Sequence, residues 1–276
     1  MREVIVTADD FGLSEAVNEG VERAHRDGIL NTASLMVAGP AASDAVRRAR
    51  TMPGLRVGLH VVVVEGRAAL PGACPVLVDE TGWFPGDPLR VSLHYAASGR
   101  ARRQLRAEIA AQFRAFRGTG LPLDHVNAHK HLHLHPVVGR IIIDVGAEFG
   151  LRAMRIPSEP PEILRACGDT PGRAADLLYR WTRVLRAQAT RAGLRVNDHM
   201  FGIAWSGHMV SDRIVTLAAH LPAGLTEIYF HPAAGRDSRI DRFMPDYEHE
   251  AELAALTDPA VRAALVQASA VPATFT

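Results

Sequence analysis

Short β-branched runs alternate with segments of helical spacing along most of this chain, and this constrains the fold more than any single motif. The first run, 3–7 (EVIVT), ends in Ala8-Asp9-Asp10-Phe11-Gly12. Ser14 then reads as an N-cap, with Val17, Val21 and Ala24 at helical spacing until Gly28 stops the helix. A second unit pairs a strand at 33–37 with a helix at 42–50, and a third strand lies at 55–61. A long helix at about 101–117, a strand opening at 125–127, an apolar helix at 141–149 and later strands at 152–157 and 225–232 continue the alternation. Such a series predicts an α/β fold with a parallel sheet. Dinucleotide-type Gly-x-Gly-x-x-Gly and P-loop patterns are absent, so a closed or incomplete (β/α) barrel is the expectation. One domain over 1–276 follows, with long insertions near 66–100 and 157–212 that could wall a cleft.

The polar residues fall where such a barrel places its chemistry. Asp9 and Asp10, His60, the histidine tract, Arg155 and His231 each sit near the C-terminal end of an expected strand. Adjacent carboxylates on a regular strand point to opposite faces, so Asp9 and Asp10 share a site only if the chain turns, as Gly12 would permit. Such a pair suits a division of labour in which one ligates a divalent metal and the other accepts a proton from water. Alternatively, one of them caps the following helix. His60 is either a ligand or a hydrogen-bonded core histidine. In DHVNAHKHLHLHP (124–136) every histidine occupies an odd position. A barrel strand is only about 5 residues long, so no more than His129, with His131, can sit at the strand end. Arg155 could hold a carboxylate ionised, and Trp205 could stack on a sugar ring or plug the core.

Composition removes several classes. Net charge is +1, which gives no case for nucleic-acid binding, and no run approaches the roughly 18 apolar residues of a membrane span. The opening MREVIVTADDFG is no signal peptide, so a cytoplasmic protein is expected, with placement at the inner membrane face as one option. Cys74 and Cys167 form no C-x-x-C pair, which leaves histidine and carboxylate as the metal ligands. Lys130 is the only lysine, so clustered arginines, including Arg180, Arg183 and Arg186, need not mark an anionic partner. That helix could lie on an anionic membrane as a peripheral contact, or be an ordinary amphipathic surface helix.

The motifs TADDFG (7–12), GLH (58–60), HVNAHKHLH (125–133) and FHP (230–232), in this order, resemble those of the YdjC-like metal-dependent carbohydrate deacetylases. HVNAHKHLHLHP (125–136), FGIAWSGHM (201–209) and LHVVVVEG (59–66) are similar to the hopanoid-biosynthesis-associated branch of that family. The resemblance implies a (β/α) barrel and removal of acetyl from an N-acetylglucosaminyl hopanoid. It implies Asp10, His60 and His129 as ligands of one divalent ion, zinc or magnesium, with Asp9 as base and His231 as proton donor. Asn127 departs from the Asp that chitooligosaccharide members tend to carry, which bears on the sugar rather than the chemistry. On this reading Arg155 orients or acidifies Asp9, and His131, His133 and Trp205 serve the substrate, a small-molecule or lipid-linked amino sugar. A homodimer is a further expectation. The alternatives are a chitooligosaccharide deacetylase, a phosphoesterase with a second metal about 3.5–4 Å from the first, and a sugar- or lipid-binding protein.

Overall fold

The computed structural model describes residues 1–276. Its central strand, β1 (Arg2–Phe11), is buried from Val4 onward and pairs in parallel with β2 (Thr32–Leu35) and β8 (Gly224–Phe230). The sheet continues from β2 through β3 (Arg56–Val61), β4 (Val126–Ala128) and β5 (Ala153–Met154) to β6 (Arg195–Val196). On the other side β8 pairs with β7 (His199–Phe201), while β9 (Ala270–Pro272) joins the start of β1. Every pairing is parallel, and the eight strands β1–β8 curl into an incomplete (β/α) barrel.

Helices cover the outside, each with a local reason to start. Ser14 caps α1 (Glu15–Asp27) by accepting from the Val17 N–H, and the helix buries Val17, Val21 and Ala24. Asp87 accepts from Leu89 and Arg90 at the start of α3 (Pro88–Ala97), and Ser98 caps α4 (Gly99–Gly118). The expected helices at 42–50 and 141–149 are α2 (Ala42–Ala49) and the later part of α5 (Pro136–Glu148). No helix is long and apolar enough to cross a membrane.

Two segments differ from their sequence reading. The stretch 157–212 carries α6 (Pro161–Ala166) and α7 (Arg173–Arg191), but it also supplies β6 and β7, the two ends of the sheet path. Asn197 and Asp198 carry the chain from one end to the other. The Asn197 side-chain amide exchanges hydrogen bonds with the backbone of Ile156 at 2.7 and 2.8 Å, while Asp198 accepts from the Leu225 N–H on Oδ2 and donates its own backbone N–H to the Leu225 carbonyl, both at 2.8 Å. Side chains thus replace the missing ladder. In sequence the segment looks like an insertion because strands of two and three residues are too short to show a period. The connection after β3 is anchored from α4: Gln112 brackets the backbone of Val62, and the buried Glu108 accepts from Ala69 and Leu70 at 2.7 and 2.8 Å. It brings Glu65 to the barrel mouth and stacks Trp83 on Phe243, ring centroids 5.6 Å apart. The chain closes with α8 (Ser211–Ala219), α9 (Ser238–Phe243), α10 (His249–Thr257) and α11 (Pro259–Gln267).

Candidate metal centre

The register of β1 against β2 shifts between Ala8 and Phe11, and Asp10 itself adopts φ 61°. For a non-glycine residue this left-handed conformation costs about 1–2 kcal/mol. It accomplishes what Gly12 alone was expected to permit: both carboxylates line one cavity at the C-terminal end of the barrel. Asp10 Oδ1 stands 3.2 Å from His60 Nε2 and 3.1 Å from His129 Nδ1. The three ligand atoms lie within 4.8 Å of one another, and all three residues are buried. Apart from these two imidazole nitrogens, neither oxygen of Asp10 has a donor. A buried carboxylate without a donor is costly unless a cation compensates it. Ligands about 2.0–2.1 Å from zinc or magnesium are separated by roughly 2.9–3.4 Å, so the two nitrogen–oxygen spacings fit a divalent ion.

Asp9 is differently held. The fully buried Arg155 donates from Nη1 to Asp9 Oδ2 at 2.5 Å and from Nη2 to Oδ1 at 3.0 Å. Its other edge grips Glu227, with Nε to Oε2 at 2.9 Å and Nη2 to Oε1 at 2.7 Å, and Thr7 donates to Oε1 at 2.7 Å. Burial would raise the Asp9 pKa, but Arg155, with His60 and His231, holds it far below the usual carboxylate range. Burial likewise opposes ionisation of Asp10, where His129 and His60 more than offset it. Burial would lower His60, yet the Asp9 and Asp10 carboxylates raise it. Glu227 was not picked from sequence, although a lone acid within LTEIYF was a visible signal.

The tract divides as strand length requires, with one correction. β4 ends at Ala128, and Lys130 and His131 take φ 51° and 53°, which destroys the odd-position alternation. His129 and His131 reach the cavity, and His131 Nε2 meets the Tyr229 hydroxyl at 3.1 Å. His133 does not: it is fully buried, neither ring nitrogen has a partner, and it does not line the cavity. Burial pushes His131 down to about 3 and His133 well below the usual value. Trp205 is also a correction, because it is 7% exposed, donates Nε1 to Asp169 at 2.8 Å and plugs the core rather than the cleft.

His231 follows β8 one residue beyond the Ala8–Phe230 register pair, beside Asp9 on the neighbouring strand. Its backbone N–H donates to the buried Glu252 and its carbonyl accepts from His249 at 2.6 Å. Burial lowers its imidazole to about 4, against the pull of Asp10 and Asp9. Tyr229 and Tyr247 flank the ring at 5.3 and 5.1 Å. The cavity has a volume of about 240 Å³, and Lys130 pairs with Glu65 on its wall. Tyr229, Tyr247, Glu65 and Glu252 escaped the sequence reading because nothing local distinguishes them from core or surface residues.

Fold and site together define a class: an incomplete (β/α)-barrel protein with one candidate Asp/His/His metal site beside an arginine-held free carboxylate. The family is specific. The model of the YdjC-like protein family matches residues 3–267, and the chain belongs to that family. A carbohydrate deacetylase of Mus musculus is 33% identical over 96% of this chain and 91% of its own length. A carbohydrate deacetylase of Geobacillus stearothermophilus is 30% identical over 96% and 94%. A solved structure from Enterococcus faecalis V583, described as a cellobiose-phosphate cleavage protein, has a TM-score of 0.78 at 21% identity. It covers 99% of this chain and 97% of its own, which shows a shared fold.

Proposed function

We propose that the protein is a metal-dependent carbohydrate deacetylase, a hydrolase that releases acetate from the amide of an N-acetylglucosaminyl conjugate. The observation that carries this reading is the pairing of Asp10, with its two histidines and no other donor, with Asp9, ionised by Arg155 and free of the ligand set. A divalent ion, zinc or magnesium, held by Asp10, His60 and His129 supplies Lewis acidity toward the acetamide and toward water. Asp9 accepts the proton of the attacking water, and Arg155 keeps the carboxylate ionised and fixed for that step. The departing nitrogen needs a proton, since an amide anion leaves poorly. His231 is placed to hand it over, and because its pKa of about 4 leaves it neutral at rest, it must first receive that proton. His131, bonded to Tyr229, faces the substrate. The single ligand group favours this chemistry over a two-ion phosphoesterase.

The acceptor is a lipid-linked amino sugar, with a hopanoid the candidate raised by the sequence. Leu177, Trp181 and Val184 form an exposed apolar stripe on α7, flanked by the exposed Arg173, Arg180 and Arg183. Trp181 Nε1 donates to the carbonyl of Leu134 at 3.0 Å, which ties this stripe to the end of the histidine tract. This supports peripheral contact with an anionic membrane. The test is acetate release from an N-acetylglucosaminyl lipid and from a chitooligosaccharide, with Asp9→Asn and His129→Ala alongside. Asp9→Asn should keep the metal and lose activity by about 10²-fold or more, whereas His129→Ala should lose stoichiometric metal. Full activity in Asp9→Asn removes it as the base, and equal turnover of the soluble sugar removes the lipid requirement.

A further inference from the structure

His60 can ligate through Nε2 only while its proton sits on Nδ1. That choice is contested inside this barrel. His60 Nδ1 lies 2.6 Å from one end of the Asn127 amide. With the oxygen at that end, Asn127 accepts the Nδ1 proton and leaves the Nε2 lone pair free. With the amide turned over, its NH₂ donates to Nδ1 and its oxygen accepts from Arg155 at 2.9 and 3.1 Å. The proton would then occupy Nε2 and block the ligand. Local contacts with Arg155 favour the blocking orientation.

A line of hydrogen bonds from the barrel floor opposes it. Asp124 accepts from Thr276 Oγ1 at 2.9 Å on one oxygen and meets His125 Nδ1 at 3.0 Å on the other. His125 Nε2 meets Ser34 Oγ at 3.2 Å, and Ser34 Oγ meets the Asn127 amide at 2.8 Å. Asp124, His125, Ser34 and Asn127 are all buried. His125 and Thr276 hold Asp124 ionised against its burial, so it can only accept. A singly protonated His125 must then donate from Nδ1 and accept at Nε2, which makes Ser34 a donor to His125. The Ser34 oxygen is left to accept from the Asn127 NH₂, so the amide oxygen faces His60. One ionised carboxylate thus sets the direction of four successive bonds. The ring that relays it is fixed by stacking on Phe275, centroids 4.6 Å apart, and by Gly58, where a Cβ would lie 2.3 Å from the imidazole.

We propose that Asp124, His125 and Ser34 are positioning residues that orient Asn127 and thereby hold His60 in its metal-ligating tautomer. The proposal rests on the reading of Asp10, His60 and His129 as a metal centre, but its first test needs no metal. Asp124→Asn is nearly isosteric. Because the Thr276 N–H and hydroxyl both donate to Oδ1, the new amide must turn its NH₂ toward His125 and reverse every bond as far as His60. In ¹⁵N-histidine-labelled, metal-free protein, long-range ¹⁵N–¹H correlation should show His125, which touches no metal ligand, protonated on Nδ1 in the wild type and on Nε2 in Asp124→Asn. His125→Gln assigns the signals. Zinc affinity, measured by competition with a chromophoric chelator, should fall about 10-fold or more. Adding Asn127→Asp, whose carboxylate accepts in either orientation, should restore zinc affinity while His125 keeps its reversed tautomer, which a merely destabilised fold would not show. Ser34→Ala serves if Asp124→Asn fails to fold. An unchanged His125 tautomer or an unchanged zinc affinity in the folded variant overturns the proposal. A wild type that binds no zinc overturns the metal centre instead, with the tautomer still reporting on the chain of bonds.

Discussion

Arg155→Met is the substitution from which the electrostatics of this site can be read most directly. Methionine fills much of the volume but leaves Asp9 and Glu227 facing each other in the barrel without the guanidinium that made four hydrogen bonds to them. Removing one partner of a buried ionic group costs about 3–5 kcal/mol, which a domain with about 5–15 kcal/mol of stability can survive. The pH dependence carries the sign. In the wild type the depressed Asp9 pKa contributes stability that is fully present above the unfolded value of 3.8 and is lost as pH falls through the far lower folded value. Without Arg155, burial dominates and the folded pKa moves above 3.8. Asp9 then destabilises the folded state at pH 7, and the deficit shrinks as pH falls toward 5. Urea unfolding at pH 5 and 7 should therefore show a larger loss at pH 7, and the acid limb of the pH–rate profile should move upward. Adding Glu227→Gln removes one stranded charge and should recover about 1–3 kcal/mol without recovering activity. If Arg155→Met unfolds within about 1 kcal/mol of the wild type at both pH values and keeps its acid limb, Arg155 does not control Asp9.

Two further outcomes follow from buried groups. His133→Leu should stabilise the protein by about 1–3 kcal/mol with activity retained, because it removes two buried nitrogens that have no partner. The folded-state pKa of His133 lies well below 6.5, so the unfolded chain binds the extra proton first and stability falls as pH drops below about 6.5. The variant should accordingly move the acid unfolding midpoint, followed by circular dichroism, to lower pH. Chelator treatment should abolish acetate release and lower the thermal midpoint, since an ion at 100 times its dissociation constant contributes about 2.7 kcal/mol. An unchanged midpoint after verified metal loss would show that Asp10, His60 and His129 do not bind the ion that matters.

Legibility in the sequence followed the length over which a physical pattern had to be maintained. β1 and α1 were visible because ten and thirteen residues display buried runs, a serine cap and helical spacing. β6 and β7, with two and three residues, are defined by what lies beside them in space, so in sequence 157–212 reads as an insertion. The same rule separates the site residues. Asp10, His60 and His129 stand out as polar residues near the ends of apolar strands, but only the resemblance to the YdjC-like family makes them one ligand set. His133 and Trp205 could not be assigned, because their fates depend on two left-handed residues and on an acid 36 positions away. Asn127 is the instructive case. Its position was readable, but its orientation is decided three hydrogen bonds away at Asp124, a residue with no sequence signal of its own. An amide can face either way where a carboxylate cannot, so a chain with Asn at this position needs a distant fixed charge to specify what Asp would specify alone.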